Sequence, residues 1–130
     1  MTSVYNLLRE TCGLSQQEAA DFHEARLDSV KSWCSDRRPA PPGVIDELRE
    51  LAREIISAGE EFAAQLKRTS KGNEFIIGLP RDDKDARSCG FPSMTAQMRA
   101  IAIAIAHLPD KAEVQFAERT RGAMPSARIA

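Results

Sequence analysis

Up to residue 67 the apolar positions recur every three or four residues, the spacing of helices with one buried face. Beyond it, two short segments are dense in β-forming residues. Ser3 is placed to cap a first helix whose Val4, Leu7 and Leu8 line one side and which Gly13 stops. Ser15 and Glu18 can form a capping box at the start of a second helix, where Ala19, Ala20 and Phe22 supply apolar contacts. Ala20 is small enough for another helix to cross close by. A break at His23, Glu24 and Ala25 leads to a third helix over residues 26–35. Val30 and Trp33 share one face of it and can pack back onto Leu14, Ala19 and Ala20. The opposite face shows Arg26, Leu27, Asp28, Lys31, Ser32 and Ser35.

Residues 39–43 form a stiff, proline-rich connector that cannot be helical. From residue 44 to residue 67 the stripe Val44, Leu48, Leu51, Ile55, Ala58, Phe62 and Leu66 predicts one long amphipathic helix. Gly59 is expected to loosen it locally. A turn over residues 69–73 precedes a strand at 74–79. Residues 80–92, charged and bounded by prolines, read as a loop in which Asp82, Asp83 and Asp85 lie among Arg81, Lys84 and Arg87 as a solvated turn. Ser93 can cap a further helix that Pro109 ends. Ile101 to Ile105 alternates like a strand, but length and alanine content favour a helix with Met94, Met98, Ile101, Ile105 and Leu108 on one stripe. A second strand follows at 113–118, and residues 119–130 read as a loose tail.

The fold class is therefore mainly α with a small β element (α+β). Residues 1–68 make an N-terminal helical bundle with a long fourth helix, and residues 69–118 a strand–loop–helix–strand region. Two strands and a helix are too little for a stable sheet, and the helix is apolar almost all round across residues 100–106. Both deficits vanish if two copies pair into a four-stranded sheet covered by helices. Phe75, Ile77, Met98, Ile101, Ile105, Val114 and Phe116 are the candidate dimerisation residues of such a homodimer.

Composition adds mostly exclusions. With 18 basic and 19 acidic residues the net charge is −1, which argues against a general polyanion binder. Between Arg26 and Arg38, however, Arg26, Lys31, Arg37 and Arg38 face only Asp28 and Asp36, a local basic surplus. Aromatic content of 5% argues against a base-stacking single-strand binder. Cys12, Cys34 and Cys89 are scattered and odd in number, as reduced thiols are, with neither disulfide nor zinc spacing. The apolar run at 100–106 is too short to span a bilayer, and the N-terminus lacks a secretory pattern, so the expected location is the cytoplasm. His23 and His107 fall on different predicted helices without metal-ligand spacing, and His107 reads as a helix-end residue facing the dipole. No phosphate-binding loop or nucleophile elbow occurs, so neither an enzyme, a metal nor a cofactor is expected.

Residues 13–39, GLSQQEAADFHEARLDSVKSWCSDRRP, resemble the helix-turn-helix of the phage-repressor (Cro/C1-like) family. With Gln16 as the first position, the small residue falls on Ala20, the corner on Glu24 and the core anchors on Val30 and Trp33. Gln16 and Gln17 match the family's frequent glutamines, and SDRRPAPP its turn, basic pair and proline. Glu24 stands where glycine is usual, because the corner backbone takes φ > 0, and His23 where an aliphatic residue is usual. The order of parts, with SVKSWCSDRRPAPPGVIDELRELA leading into a long helix and a strand–helix–strand end, is similar to the anti-CRISPR-associated autorepressors. That resemblance implies a homodimer that binds an inverted repeat of double-stranded DNA in its own promoter. It further implies a recognition helix on which Arg26, Asp28, Ser29, Lys31 and Ser32 bind. Arg26 would meet guanine O6 and N7, and Leu27 a thymine methyl, while Asp28 would accept from cytosine N4 or orient Arg26. Ser29 and Ser32 would donate to bases or phosphates. Phosphates would be held by Lys31, by Arg37 and Arg38 (which could also enter the minor groove), and by the helix N-terminus at Ser15, Gln16 and Gln17.

Two rival readings attach to the C-terminal half. In an antitoxin-type protein the apolar helix around residues 100–106 would face a different protein instead of its own copy. In a ligand-sensing repressor a small molecule would lie between the sheet and the Ile101–Ile105 helix, although no convergent polar groups recommend it there.

Overall fold

The structure, a computed structural model, describes residues 2–118 and 127–129. It is mainly helical with one small two-stranded sheet, an α+β fold. The chain divides into two compact units, Met1–Glu54 and Ile55–Ala130, and the division falls inside the longest helix. No helix of the described residues is long and apolar enough to cross a membrane.

The first unit holds α1 (Val4–Thr11), α2 (Gln16–His23), α3 (Leu27–Cys34) and the start of α4 (Pro42–Thr69). Ser3 caps α1 by accepting from the Asn6 N–H, and its hydroxyl donates to the Trp33 carbonyl, so one side chain starts α1 and ties it to α3. The inward face of α1 differs from the expected one. Val4 and Leu7 are 68% and 56% exposed, whereas Tyr5 and Cys12 are buried. The reason is aromatic packing: Tyr5 meets Trp33 edge-on with ring centroids 5.5 Å apart, which turns α1 toward Tyr5, Leu8 and Cys12. The Cys12 thiol donates to the Leu48 carbonyl of α4 at 3.7 Å, and Arg9 Nη1 donates to the Leu14 carbonyl at 2.6 Å. The connector also departs from expectation, because α4 begins at Pro42, two residues earlier than the apolar stripe suggested. Proline fits a first helical turn, where its missing N–H has no partner to lose.

In the second unit β1 (Glu74–Leu79) and β2 (Glu113–Glu118) pair in parallel, with Phe75 opposite Val114 and Ile77 opposite Phe116. Parallel pairing needs a long crossover, which α5 (Asp83–Ser88) and α6 (Met94–Ala106) supply. The helix α5 lies where a loop was expected, and its aspartates explain it. Asp82 caps it by accepting the Asp85 N–H at 2.7 Å, and Asp83 accepts the Met94 N–H at 2.8 Å. Asp85 is buried and accepts the Arg81 N–H at 3.0 Å, so this cluster is a capping network and not a solvated turn.

The inner face of α6 is likewise rotated from the expected stripe. Ala96, Gln97, Ala100, Ile101 and Ala104 are buried, while Met94, Met98, Ile105 and Leu108 are half-buried. The cause lies in α4. A Cβ on Gly59 would stand 2.7 Å from the Ala100 carbonyl oxygen and from Ile103, so α4 and α6 approach too closely for anything larger. Gly59 is therefore a packing glycine, and the expected loosening is not its role. The outer face leaves Ala102 and Ala106 exposed, so α6 is not buried all round. Of the expected loose tail, residues 119–126 lie outside the described residues, but its end is anchored. Ala127 is buried, its carbonyl accepts from Gln97 Nε2 at 3.0 Å, and the Ile129 N–H donates to the Cys89 carbonyl at 2.9 Å.

Candidate nucleic-acid interface

The site is built on α2, α3 and the corner between them. Ser15 accepts the Glu18 N–H at 3.0 Å and its own N–H donates to Glu18 Oε1 at 2.8 Å, a complete capping box. The helix α2 ends at Glu24, whose φ of 55° and ψ of 42° are left-handed. The following N–H, from Ala25, reaches back to the Ala20 carbonyl at 2.9 Å. A glutamate pays for that conformation with steric strain that glycine would avoid. Three residues after Glu24, α3 begins at Leu27, shorter at both ends than the expected 26–35, with Arg26 and Ser35 as its flanking caps. Arginine has donors and no acceptor, so Arg26 makes no capping bond and its side chain stays available.

Val30 and Trp33 are buried, as are Ala19, Ala20 and Leu14 against them. That pins one face of α3 inward and fixes which residues face out. Arg26, Asp28 and Lys31 are exposed, and Leu27, Ser29 and Ser32 are half-exposed along the same side. Arg37 and Arg38 are exposed beyond a second left-handed residue, Asp36, and their N–H groups donate to the Ser32 carbonyl at 3.0 and 3.3 Å. Among the described residues no ion pair engages Arg26, Lys31, Arg37 or Arg38. The surface is thus a short basic strip with Asp28 inside it.

Some candidates are less free than their type suggests. The Ser32 hydroxyl donates to the Asp28 carbonyl at 3.1 Å, so it offers a partner its acceptor side. Gln17 Nε2 donates to Asp21 Oδ1 at 3.1 Å. At the N-terminus of α2 the capping box uses the Ser15 and Glu18 N–H groups and sets a carboxylate beside them. The phosphate-binding capacity there falls to the Gln16 and Gln17 N–H groups.

The candidate dimerisation residues lie in the second unit and split by burial. Phe75, Ile77 and Ile101 are buried within their own chain, where they form its core. Met98, Ile105 and Val114 are half-buried, and Phe116 is 55% exposed. Ile76, not among the candidates, is 65% exposed on the opposite face of the sheet. A cavity of about 440 Å³ opens at the strand ends, lined by Leu79, Pro80, Arg81, Phe116 and Ala117. It does not lie between the sheet and the Ile101–Ile105 stretch of α6. Among the described residues no three His, Cys, Asp or Glu side chains gather as metal ligands would.

Behind α2 lies an arrangement that the pattern of apolar positions did not reveal. The His23 side chain is 0% exposed, with Nδ1 2.9 Å from Glu47 Oε1 and Nε2 3.1 Å from the Tyr5 hydroxyl. Burial, with the neighbouring Cys34 adding to it, pushes the Tyr5 phenol well above its ordinary value, so the hydroxyl keeps its proton. The signal in the sequence was a histidine, His23, beside the helix corner in an otherwise apolar stretch of packing. Compared with known proteins, the chain matches no family model, no curated protein sequence and no solved structure.

Proposed function

We propose that this protein is a sequence-specific DNA-binding transcriptional regulator, a homodimeric repressor of its own operon that reads an inverted repeat with a Cro/C1-like helix-turn-helix. The observation that carries the reading is the left-handed corner at Glu24, which joins α2 to an α3 whose buried Val30 and Trp33 leave Arg26, Asp28 and Lys31 facing outward. A helix with an apolar back and a polar, basic front, braced by a second helix, is what the major groove admits. In this reading Arg26 contacts guanine from the N-cap position of α3. Leu27, Asp28, Ser29 and Ser32 complete the base-contacting face. Lys31, Arg37, Arg38 and the Gln16 and Gln17 N–H groups at the N-terminus of α2 hold phosphates, with Ser15 occupied in the capping box. The expected location is the cytoplasm, on the nucleoid when bound.

A second reading has one observation in its favour. Phe116 and Ile76 stay exposed on the small sheet, which suits either a second copy or, in an antitoxin-type protein, a different protein partner. A self-pairing sheet leaves the purified chain a dimer, whereas a surface meant for another protein leaves it a monomer or prone to aggregate.

The function is tested by fluorescence anisotropy of the protein on its own upstream intergenic DNA, with Arg26→Ala as control. Binding to one segment at least tenfold tighter than to random duplex is expected, with Arg26→Ala losing roughly 1–3 kcal/mol of that discrimination. Equal affinity for both DNAs would refute the reading.

A further inference from the structure

We propose that His23 is the positioning residue of the recognition helix: held by Glu47 at one ring nitrogen and by Tyr5 at the other, it sets the angle at which α3 leaves the Glu24 corner. The assignment rests on the DNA-binding reading of α3 for its purpose, but its geometry stands apart from that reading. His23 is the last residue of α2, immediately before the left-handed residue. Whatever fixes its ring fixes the frame from which the corner turns.

The ring meets side chains of α1, α3 and α4 in the first unit. Glu47 comes from α4 and Tyr5 from α1. Trp33 of α3 lies edge-on, with ring centroids 6.2 Å apart, and Phe22 packs alongside at 5.1 Å. An aliphatic residue would fill the same space without fixing a direction. An imidazole has two nitrogens on opposite sides of a rigid ring, so two bonds define its orientation. A carboxylate accepts and does not donate, so Nδ1 carries a hydrogen toward Glu47, and in the neutral ring Nε2 then accepts from the Tyr5 hydroxyl. Because the ring is buried, losing either partner leaves a polar atom without a bond, and the ring must turn or the corner must open to water. Trp33 is held from α1 as well, through the Ser3 hydroxyl on its carbonyl, so a shift of Tyr5 and His23 is passed to α3 at two points.

The test uses Glu47→Ala, Glu47→Gln and Tyr5→Phe in the full chain. Amide residual dipolar couplings report the angle of α3 to α1 and α2, and duplex titrations report the ratio of affinity for the protein's own upstream DNA to that for random DNA. Tyr5→Phe loses one oxygen and no packing volume, which keeps the test valid if Glu47→Ala fails to fold. The expected result is a changed α3 angle in Glu47→Ala and Tyr5→Phe with helix content intact. The affinity ratio should fall roughly tenfold, and Glu47→Gln should largely restore both, because its amide oxygen still accepts from Nδ1. Folded Glu47→Ala and Tyr5→Phe proteins with the wild-type α3 angle would overturn the proposal. A changed angle in a protein whose wild type prefers no duplex would leave His23 as the positioning residue and remove DNA reading as its purpose.

Discussion

Gly59 shows how much a single side chain decides in this chain. It sits in the middle of α4, where alanine would ordinarily be better by up to about 1 kcal/mol. Here the added methyl would meet the Ala100 carbonyl oxygen and Ile103 at 2.7 Å. Backbone on one side leaves little room to yield, so the clash outweighs the propensity gain. Gly59→Ala should destabilise the protein by roughly 1–3 kcal/mol in urea unfolding, and a more stable variant would contradict the packing described. Cys12 offers a second prediction. Burial raises its thiol from the ordinary 9.0 to about 12, so the folded chain favours the neutral form. A raised acid contributes its stability in full below the unfolded pKa and loses it as the pH climbs toward the folded one. The thermal midpoint should therefore fall across the window from pH 9.0 to about 12, and Cys12→Ala should flatten that fall. Neither role was legible from the apolar pattern, because both depend on what another element places opposite the residue.

At the scale of elements, capping chemistry made much of the order readable. Ser3, Ser15 and Ser93 each cap the helix they were expected to start, since a side chain that accepts from an N–H three residues on acts within its own turn. The short helix α5 escaped because its charged residues and flanking prolines have the composition of a loop. Its stability comes from Asp82, Asp83 and Asp85 bonding to backbone N–H groups, one of them at the start of α6. The inward face of α6 escaped for a different reason. Periodicity ranks methionine and isoleucine above alanine, yet Ala96, Ala100 and Ala104 are buried and α4 passes close to the Ala100 backbone at Gly59. Ala100→Leu should thus cost more than the half-buried Met98→Ala, which should fall below the usual 2–5 kcal/mol of a core methionine truncation. Chemical denaturation of the two variants checks the order, and the reverse order would return the core face of α6 to its methionine side.

For the whole molecule, net charge and fold class were readable from composition and spacing, but the strand pairing was not. Nothing in residues 74–79 or 113–118 distinguishes a parallel pair within one chain from pairing between chains. The structure joins β1 to β2 and buries Phe75, Ile77 and Ile101 inside the unit. A dimer in which these stay buried must use other surface, and Phe116 and Ile76 are the large apolar side chains the sheet leaves exposed. Near-neutral charge overall with a basic strip around α3 allows few phosphate contacts, so in the proposed function specificity comes from base contacts repeated in the two copies of a dimer. The measurement that tests this most directly is selection of bound duplexes from a fully randomised pool by the purified protein, because it presumes no operator. A two-fold symmetric site whose half-sites lie about 34 Å apart, or a multiple of that, should be enriched, and Arg26→Ala should lose the enriched bases. A pool that stays random after repeated selection would show that the protein is not a sequence-specific DNA binder.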